Sequence, residues 1–174
     1  NPKLETTQSF YGIWDKNEAM LTTYDSSDLL LQKISNQWTQ GFDTDGDGKL
    51  DEETTLREVT NKAIDYRADM GWKLDLLPQR VDGITNTDNF GERQTSNAIV
   101  RDGRLIFNTL MPSSDDCEFG GNGFLMTLDL RDGSALNHTA FDLNGDGKFD
   151  DVSDSAAAGR ASNVSIASAI SILS

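Results

Sequence analysis

The chain has 174 residues, of which 36% are hydrophobic, and it carries a formal net charge of −14. This length suits one soluble domain with a packed core. Because the acidic surplus repels phosphate groups and favours cations, we expect no nucleic-acid partner. No apolar run reaches the roughly 18 residues that a membrane helix needs, so we also expect no membrane span.

Short runs of alternating apolar residues, separated by Gly, Asp and Asn, predict many short β-strands. In chain order the predicted strands are 10–14, 28–34, 72–76, 98–100, 105–110, 124–130 and 134–136. Residues 52–66 are compatible with a short helix or an irregular strand. Residues 164–172 have apolar side chains on one parity, which predicts a terminal strand or hairpin that docks on a sheet.

Two connections between predicted strands consist of residues that are typical of tight turns. They are Arg101-Asp102-Gly103 and Arg131-Asp132-Gly133. Asp tolerates a tight bend and Gly supplies positive φ, so both predict hairpin turns. Strand clusters joined by hairpins and long loops are typical of a sandwich or a propeller. Since a propeller blade takes roughly 40 to 45 residues, the chain would hold about four blades. We therefore expect residues 1–174 to form a single all-β, propeller-like domain or the C-terminal part of one.

Two acidic segments share one pattern, D-x-[DN]-x-[DN]-G-x-x-D. Loop 1 is residues 43–51 and loop 2 is residues 142–150. The pattern matches the first nine positions of an EF-hand calcium loop, in which alternate side chains curl around one point to supply oxygen ligands. The sequence therefore predicts two Ca²⁺ sites. The alternative is a pair of solvated Asp-Gly turns, which the repetition of the pattern disfavours.

The predicted ligands are the side chains at positions 1, 3, 5 and 9 and the backbone carbonyl at position 7. They are Asp43, Asp45, Asp47, Lys49 and Asp51 in loop 1, and Asp142, Asn144, Asp146, Lys148 and Asp150 in loop 2. We expect the two lysine ammonium groups to point away from the ion. We expect the apolar eighth residues, Leu50 and Phe149, to anchor each loop to the core.

Position 12 departs from the EF-hand pattern, because Thr54 and Ser153 replace the bidentate Glu. A neighbouring acid can compensate, the candidates being Glu52, Glu53, Asp151 and Asp154. We expect binding in the micromolar to millimolar range, which suits an extracellular setting. Close-set carboxylates repel one another, so an ion should order each loop.

No other constellation predicts a specific chemistry. His138 is the one histidine, and nothing around the serines resembles a nucleophile elbow. Glu92 and Glu118 could belong to an acid pair, but no spacing singles them out. Gly120 to Gly123 lack the Lys-Ser/Thr of a phosphate loop and lead into a predicted strand. The tryptophans Trp14, Trp38 and Trp72 are predicted to pack in the core or between blades. Cys117, the one cysteine, cannot form a disulfide within the chain.

A series of segments occurs in an order that is typical of one family. They are FYGIWD (10–15), LLLQKI (29–34), GWKLDL (71–76), GER (91–93), LIFNTLMPSS (105–114), Cys117, Gly120-Gly121, LMTLD (125–129) and FDLNGDG (141–147). Over residues 10–152 they resemble the C-terminal region of the PilY/PilC family of type IV pilus tip adhesins and biogenesis factors.

The resemblance implies part of a β-propeller on a secreted protein carried near the pilus tip. In that family an EF-hand-like calcium loop is tied to control of pilus extension and retraction. The implied partners are minor pilins or pilus tip subunits, a host or abiotic surface, and the remaining blades of a longer chain. The family's propeller is longer than this chain, and no Arg-Gly-Asp tripeptide supports integrin-type binding.

We therefore predict a calcium-dependent pilus-tip adhesin or biogenesis factor that is not an enzyme. The alternative is a secreted, calcium-stabilised propeller hydrolase or lyase that acts on glycans. That alternative requires two facing carboxylates in a cleft away from the two loops.

Overall fold

The structure is a computed structural model. It describes residues 7–17, 23–78, 91–112, 121–138, 140–149 and 157–162. Within these ranges the chain forms a short 3₁₀ helix, Ser26–Asp28, and nine strands. The strands are β1 (Ser9–Ile13), β2 (Leu30–Phe42), β3 (Glu52–Val59), β4 (Gly71–Asp75), β5 (Arg93–Gln94), β6 (Ile99–Arg101), β7 (Arg104–Pro112), β8 (Gly121–Asp129) and β9 (Gly159–Ser162). The predicted all-β class is confirmed.

The strands form one hydrogen-bonded sheet in the order β1-β4-β2-β3-β9-β8-β7-β5, with β6 also paired to β7. The pairing of β2 with β4 is parallel, whereas β2 and β3 are antiparallel. β2 connects two parts of the sheet, because residues 30–33 pair with β4 and residues 34–42 pair with β3. The register shifts between Ile34 and Asn36, where the strand passes from one partner to the other.

The sheet curls around its main core. Phe10 in β1 stacks on Phe107 in β7 with 4.4 Å between ring centroids, although these strands lie near opposite ends of the strand order. Trp72 is 2% exposed in the same core. Its indole lies so close to the backbone of Gly12 and Gly133 that an added Cβ would come within 2.4 Å and 2.2 Å of the ring. The core prediction is therefore confirmed for Trp72.

The other two tryptophans lie nearer the surface. Trp38 is partly buried against a smaller apolar cluster. Trp14 is 40% exposed, so its predicted core position is wrong. It follows the end of edge strand β1 and contacts the ring of Tyr66 edge-on, with 4.9 Å between centroids.

The smaller cluster contains Phe42, Leu56, Phe141, Leu143 and Ala157 as its buried members. We call it the loop cluster, because Phe42 precedes loop 1 and Phe141 precedes loop 2. Its members come from β2, β3 and the segments before β9. One apolar cluster therefore lies at the base of both acidic loops.

Of the two predicted hairpins, the first is present and the second is not. Asp102 and Gly103 have φ values of 50° and 76° and connect β6 to β7 in a two-residue turn, as predicted. Gly133 also has positive φ, 68°, but residues 134–136 are not a strand, so that prediction is wrong. Both edges of β8 are already paired, one with β7 and the other with β9.

Other element predictions were incomplete. The strand predicted over 28–34 continues to Phe42, because β3 pairs with its extension. The ambiguous block 52–66 is a strand only as far as Val59. The strand predicted over 164–172 lies outside the described residues. Among the described residues, no helix is long and apolar enough to cross a bilayer.

Candidate metal site

Loop 1 is the connection between the antiparallel strands β2 and β3. The backbone N–H of Asp51 donates to the carbonyl of Phe42 at 2.8 Å, which closes the base of the loop. Gly46 and Gly48 have φ values of 78° and 86°. L-residues with side chains rarely adopt this region, so the two glycines let the loop turn twice within three residues.

The Asp43 carboxylate stabilises this turn by accepting two backbone hydrogen bonds. Its Oδ1 accepts from the Gly46 N–H and its Oδ2 from the Gly48 N–H, both at 2.7 Å. These donors, Gly48 foremost, lower the pKa of Asp43 below its ordinary value. The side chain is therefore held in its ionised form, which is the form that binds a metal ion.

Three predicted ligands of loop 1 converge. Carboxylate oxygens of Asp43, Asp45 and Asp51 all lie within 4.8 Å of one another. Asp51 is held in place by Thr44, whose N–H and Oγ1 donate to Asp51 Oδ2 at 3.0 and 2.9 Å. Hard oxygen donors with net negative charge are the ligand set that Ca²⁺ prefers, so these residues fit a calcium ion.

The remaining acid of loop 1, Asp47, is engaged elsewhere. Lys49 Nζ donates to Asp47 Oδ2 at 2.8 Å, and the Lys49 N–H donates to Asp47 Oδ1 at 2.8 Å. These two bonds lower the pKa of Asp47. The expectation that the Lys49 ammonium points away is therefore wrong, because the neighbouring carboxylate attracts it.

Loop 2 repeats the hydrogen bonds of loop 1. Asp142 Oδ1 and Oδ2 accept from the N–H groups of Gly145 and Gly147 at 2.8 and 2.9 Å. Asn144 Oδ1 accepts from the Asp146 N–H at 3.0 Å, as Asp45 Oδ1 accepts from the Asp47 N–H at 3.0 Å. Residues 43–49 and 142–148 therefore share a set of local hydrogen bonds as well as a sequence pattern.

Loop 2 also repeats the lysine contact. The Lys148 N–H donates to Asp146 Oδ1 at 2.8 Å, and Lys148 Nζ lies 3.8 Å from Asp146 Oδ2. The prediction that this ammonium points away is wrong as well. Asp150, the predicted ninth-position ligand, lies outside the described residues.

The residues that anchor the loops are not the ones predicted. Leu50 and Phe149 are 68% and 63% exposed, so they do not fix the loops to the core. The buried anchors are Phe42, Phe141 and Leu143, all in the loop cluster. The two Phe anchors could have been identified from the sequence, because both loops have Phe directly before their first Asp.

Of the acids considered as compensating ligands, the structure describes Glu52 and Glu53, which begin β3 directly after loop 1. Thr54 is buried within β3, at 8% exposure. Glu52 accepts from Arg160 Nη2 at 2.8 Å, and this ion pair links β3 to β9. Glu53 is exposed on β3. Ser153, Asp151 and Asp154 lie outside the described residues.

Glu92, one of the acids considered for catalysis, is locked in the interior. Arg57 Nη1 and Nη2 donate to its two carboxylate oxygens at 2.6 and 2.7 Å, and both side chains are 0% exposed. The Arg57 guanidinium also lies 3.3 Å above the centroid of the Phe124 ring. Sequence reasoning missed Arg57, since no local pattern marks a lone Arg on a strand as buried. Glu118 lies outside the described residues.

His138 is exposed, with its Nδ1 3.2 Å from Oδ1 of Asn137. Gly121 begins β8, as expected of a glycine segment that leads into a strand. Neither feature adds a ligand to the two loops.

Two comparisons with known proteins give a match, and no protein-family model matches the chain. The chain is 27% identical over 128 residues to a protein of Xylella fastidiosa named "Type IV pilus biogenesis factor PilY1 homolog". That match covers 73% of this chain and 7% of the relative, so the chain spans a small part of the relative's length.

The fold is similar to the crystal structure of the Pseudomonas aeruginosa PilY1 C-terminal domain. The TM-score is 0.67 at 21% sequence identity, over 90% of this chain and 31% of that chain. The fold class predicted from the motifs is the one found. Sequence and fold together confirm the predicted resemblance to the C-terminal region of PilY1 proteins.

Proposed function

We propose that this chain is part of a type IV pilus tip adhesin or biogenesis factor in which Ca²⁺ bound to loops 1 and 2 shapes the surface that meets its partners. The observation that carries the metal part is the repeated loop geometry, with the carboxylates of Asp43, Asp45 and Asp51 within 4.8 Å. The name of the Xylella relative, a type IV pilus biogenesis factor PilY1 homolog, supports the assignment to type IV pili.

In loop 1 the ion would be held by the side chains of Asp43, Asp45, Asp47 and Asp51 and by the carbonyl of Lys49. When bound, Ca²⁺ supplies positive charge that cancels the repulsion between these carboxylates. Before Asp47 can join them, the Lys49 ammonium must leave its oxygen. The backbone N–H groups of Gly46 and Gly48 keep Asp43 oriented throughout.

In loop 2 the equivalent ligands are Asp142, Asn144, Asp146, the carbonyl of Lys148 and Asp150. An amide replaces one carboxylate, so the ligand set carries one negative charge fewer than that of loop 1. We expect loop 2 to bind Ca²⁺ more weakly than loop 1, because affinity in such loops depends on ligand charge.

The partners we propose are minor pilins or pilus tip subunits, a host or abiotic surface, and the remaining blades of a longer chain. An extracellular location at the pilus tip agrees with loops that lack the bidentate Glu, since binding in the micromolar to millimolar range is matched to extracellular calcium. We propose no catalytic role. The glycan hydrolase or lyase alternative needs exposed acids, and Glu92 is buried in an ion pair.

The metal part is tested by calcium titration calorimetry on the parent chain and on Asp43→Ala and Asp142→Ala. We expect two sites in the parent and one in each variant. Asp15→Ala is the matched control, because Asp15 also caps a local turn, accepting from the Asn17 N–H at 2.7 Å, but lies in neither loop. Absence of calcium-dependent heat in the parent would refute the metal part.

The pilus part is tested in the organism that encodes the chain. The same Asp43→Ala and Asp142→Ala substitutions are placed in the full-length protein, and surface piliation, twitching motility and attachment are measured. We expect at least one of these to be lost while the protein is still made. Unchanged behaviour after both substitutions and after deletion of the gene would contradict a pilus role.

A further inference from the structure

The sequence contains the dipeptide Asn-Gly twice, as Asn122-Gly123 and Asn144-Gly145. In this dipeptide the backbone nitrogen of Gly can attack the side-chain amide of Asn, because glycine has no side chain to block the approach and its backbone is permissive. The first copy lies in β8, and the second lies at positions 3 and 4 of loop 2. The same chemical group is therefore held in two different settings.

The turn at Asn144-Gly145 brings together the groups that this attack needs. The Gly145 N–H donates to Asp142 Oδ1 at 2.8 Å, so a carboxylate lies in place to accept the proton of the attacking nitrogen. Asn144 Oδ1 accepts from the Asp146 N–H at 3.0 Å, so a backbone donor lies at the oxygen on which negative charge develops. Gly145 is exposed and has a φ of 76°, so water reaches this turn.

Asn122-Gly123 is held in the opposite way. Asn122 pairs in register with Met111 of β7, and Gly123 pairs with Ser162 of β9. Gly123 is buried, and a Cβ added to it would come within 2.0 Å of the carbonyl oxygen of Thr109. Strand pairing on both sides keeps this backbone extended, so its nitrogen cannot turn toward the Asn122 side chain without local opening of the sheet.

We propose that Asn144 is a site of spontaneous deamidation, with Asp142 as the proton acceptor. The Gly145 nitrogen attacks Cγ of Asn144, and the new N–Cγ bond closes a succinimide ring. The proton of that nitrogen passes to Asp142 and then to the side-chain amide nitrogen, which leaves as ammonia when its bond to Cγ breaks. Water then opens the ring at either carbonyl, which leaves Asp or isoaspartate at position 144. No group is oxidised or reduced, and Asp142 is regenerated.

The reaction changes the charge of loop 2. Either product adds one negative charge, and the Asp product places an acid at each of positions 1, 3 and 5, as in loop 1. Loop 1 has the same hydrogen bonds around Asp45-Gly46, at 2.7 Å from the Gly46 N–H to Asp43 and 3.0 Å from the Asp47 N–H to Asp45. A carboxylate resists attack by a nucleophile more than an amide does, so this chemistry distinguishes the two loops.

The test is a time course of the parent chain at neutral pH, folded and in urea, with chelator present so that the result does not depend on calcium. Peptide mapping by mass spectrometry with an isoaspartate assay measures each Asn separately. We expect both Asn-Gly sites to react in urea. In the folded chain we expect Asn144 to react at least as fast as in urea, and Asn122 to react about tenfold or more slowly than in urea.

Asp142→Asn tests the proton acceptor. An amide oxygen can still accept the Gly145 N–H but is not a base, so we expect deamidation of Asn144 to slow by about tenfold or more in the folded chain. Asp15→Asn is the matched control, because Asp15 accepts the Asn17 N–H at 2.7 Å and lies outside loop 2. We expect it to leave the rate at Asn144 unchanged.

The folded chain decides the proposal. Asn144 that stays intact when folded but reacts in urea would overturn it, and so would equal protection of both Asn-Gly sites. An unchanged rate in folded Asp142→Asn would overturn Asp142 as the proton acceptor. If Asp142→Asn does not fold, the comparison of folded and unfolded parent chain still shows whether the native turn promotes the reaction.

Discussion

At the scale of single residues, the lysine at position 7 does more than the motif suggests. Its carbonyl is the predicted ligand, but its ammonium pairs with the position-5 acid in both loops, at 2.8 Å in loop 1 and 3.8 Å in loop 2. The ammonium thus offsets the negative charge of one predicted ligand. Calcium must compete with it for Asp47.

Replacing Lys49 with Met should therefore strengthen calcium binding to loop 1. The backbone carbonyl remains, and the competing ammonium is removed. Exposed ion pairs are weak and screened by water and salt, so we expect an increase in calcium affinity of at most about fivefold by calorimetry. Lys16→Met is the control, since Lys16 lies over the Trp14 ring and not in a loop. An unchanged or lower affinity in Lys49→Met would refute competition.

The tight turns of the two loops could be predicted from the sequence because they follow from the local spacing of Asp and Gly. The anchors could not be assigned in the same way. Position 8 is apolar in both loops, but Leu50 and Phe149 are exposed, while Leu143 at position 2 is buried. Which apolar residue of a loop is buried depends on what the rest of the fold places beneath it.

At the scale of elements, the ion pair of Arg57 and Glu92 ties the middle of β3 to the segment before β5. Both side chains are fully buried, and Gln37 Oε1 also accepts from Arg57 Nε at 2.9 Å. A buried pair need not be more stable than apolar residues of the same size, but removing one partner leaves a charge without its counter-ion.

Glu92→Gln should lower the free energy of unfolding by about 3–5 kcal/mol, because Arg57 would remain charged in the interior. Urea denaturation checks this. Glu58→Gln, on the same strand as Arg57 but exposed, is the control and should have little effect. A loss below about 1 kcal/mol in Glu92→Gln would mean that water or other groups solvate Arg57.

Strands with clear alternation and a local turn were predictable, as β6 and β7 illustrate. β9 was missed, because Gly159–Ser162 has no alternating pattern and is a strand only through its pairing with β3 and β8. That same pairing removes the edge that residues 134–136 would have needed. Tertiary contacts decided both cases, and one sequence carries little information about them.

At the scale of the whole molecule, the two loops emerge near one apolar cluster although the sequence separates them. The sequence predicted both loops and the all-β class, and the family resemblance predicted the fold. The parallel pairing of β2 with β4 and the convergence on the loop cluster were not predicted, because both depend on contacts between distant segments.

Calcium should therefore stabilise the whole domain and not only its loops. A ligand that binds the native state alone adds about 2.7 kcal/mol at a concentration a hundred times its Kd. We expect Tm to rise with calcium and to fall again on adding chelator, and the rise to be smaller in Asp43→Ala. If stability increases while attachment in the organism does not depend on either loop, calcium only stabilises a scaffold. A calcium-independent Tm would contradict binding to the native state.

β2 is also a mechanical element. It is 13 residues long, or about 40 Å at strand spacing, and different neighbours hold its two ends. Its last residue enters loop 1, and its first residues pair with β4 beside the main core. Because loop 1 joins β2 to β3, a pull on it along the strands would load the two strands together and place the β2–β4 and β3–β9 hydrogen bonds in shear, so several would have to break together. Tension at the acidic end would thus reach the pairing with β4, beside the main core, along one continuous strand.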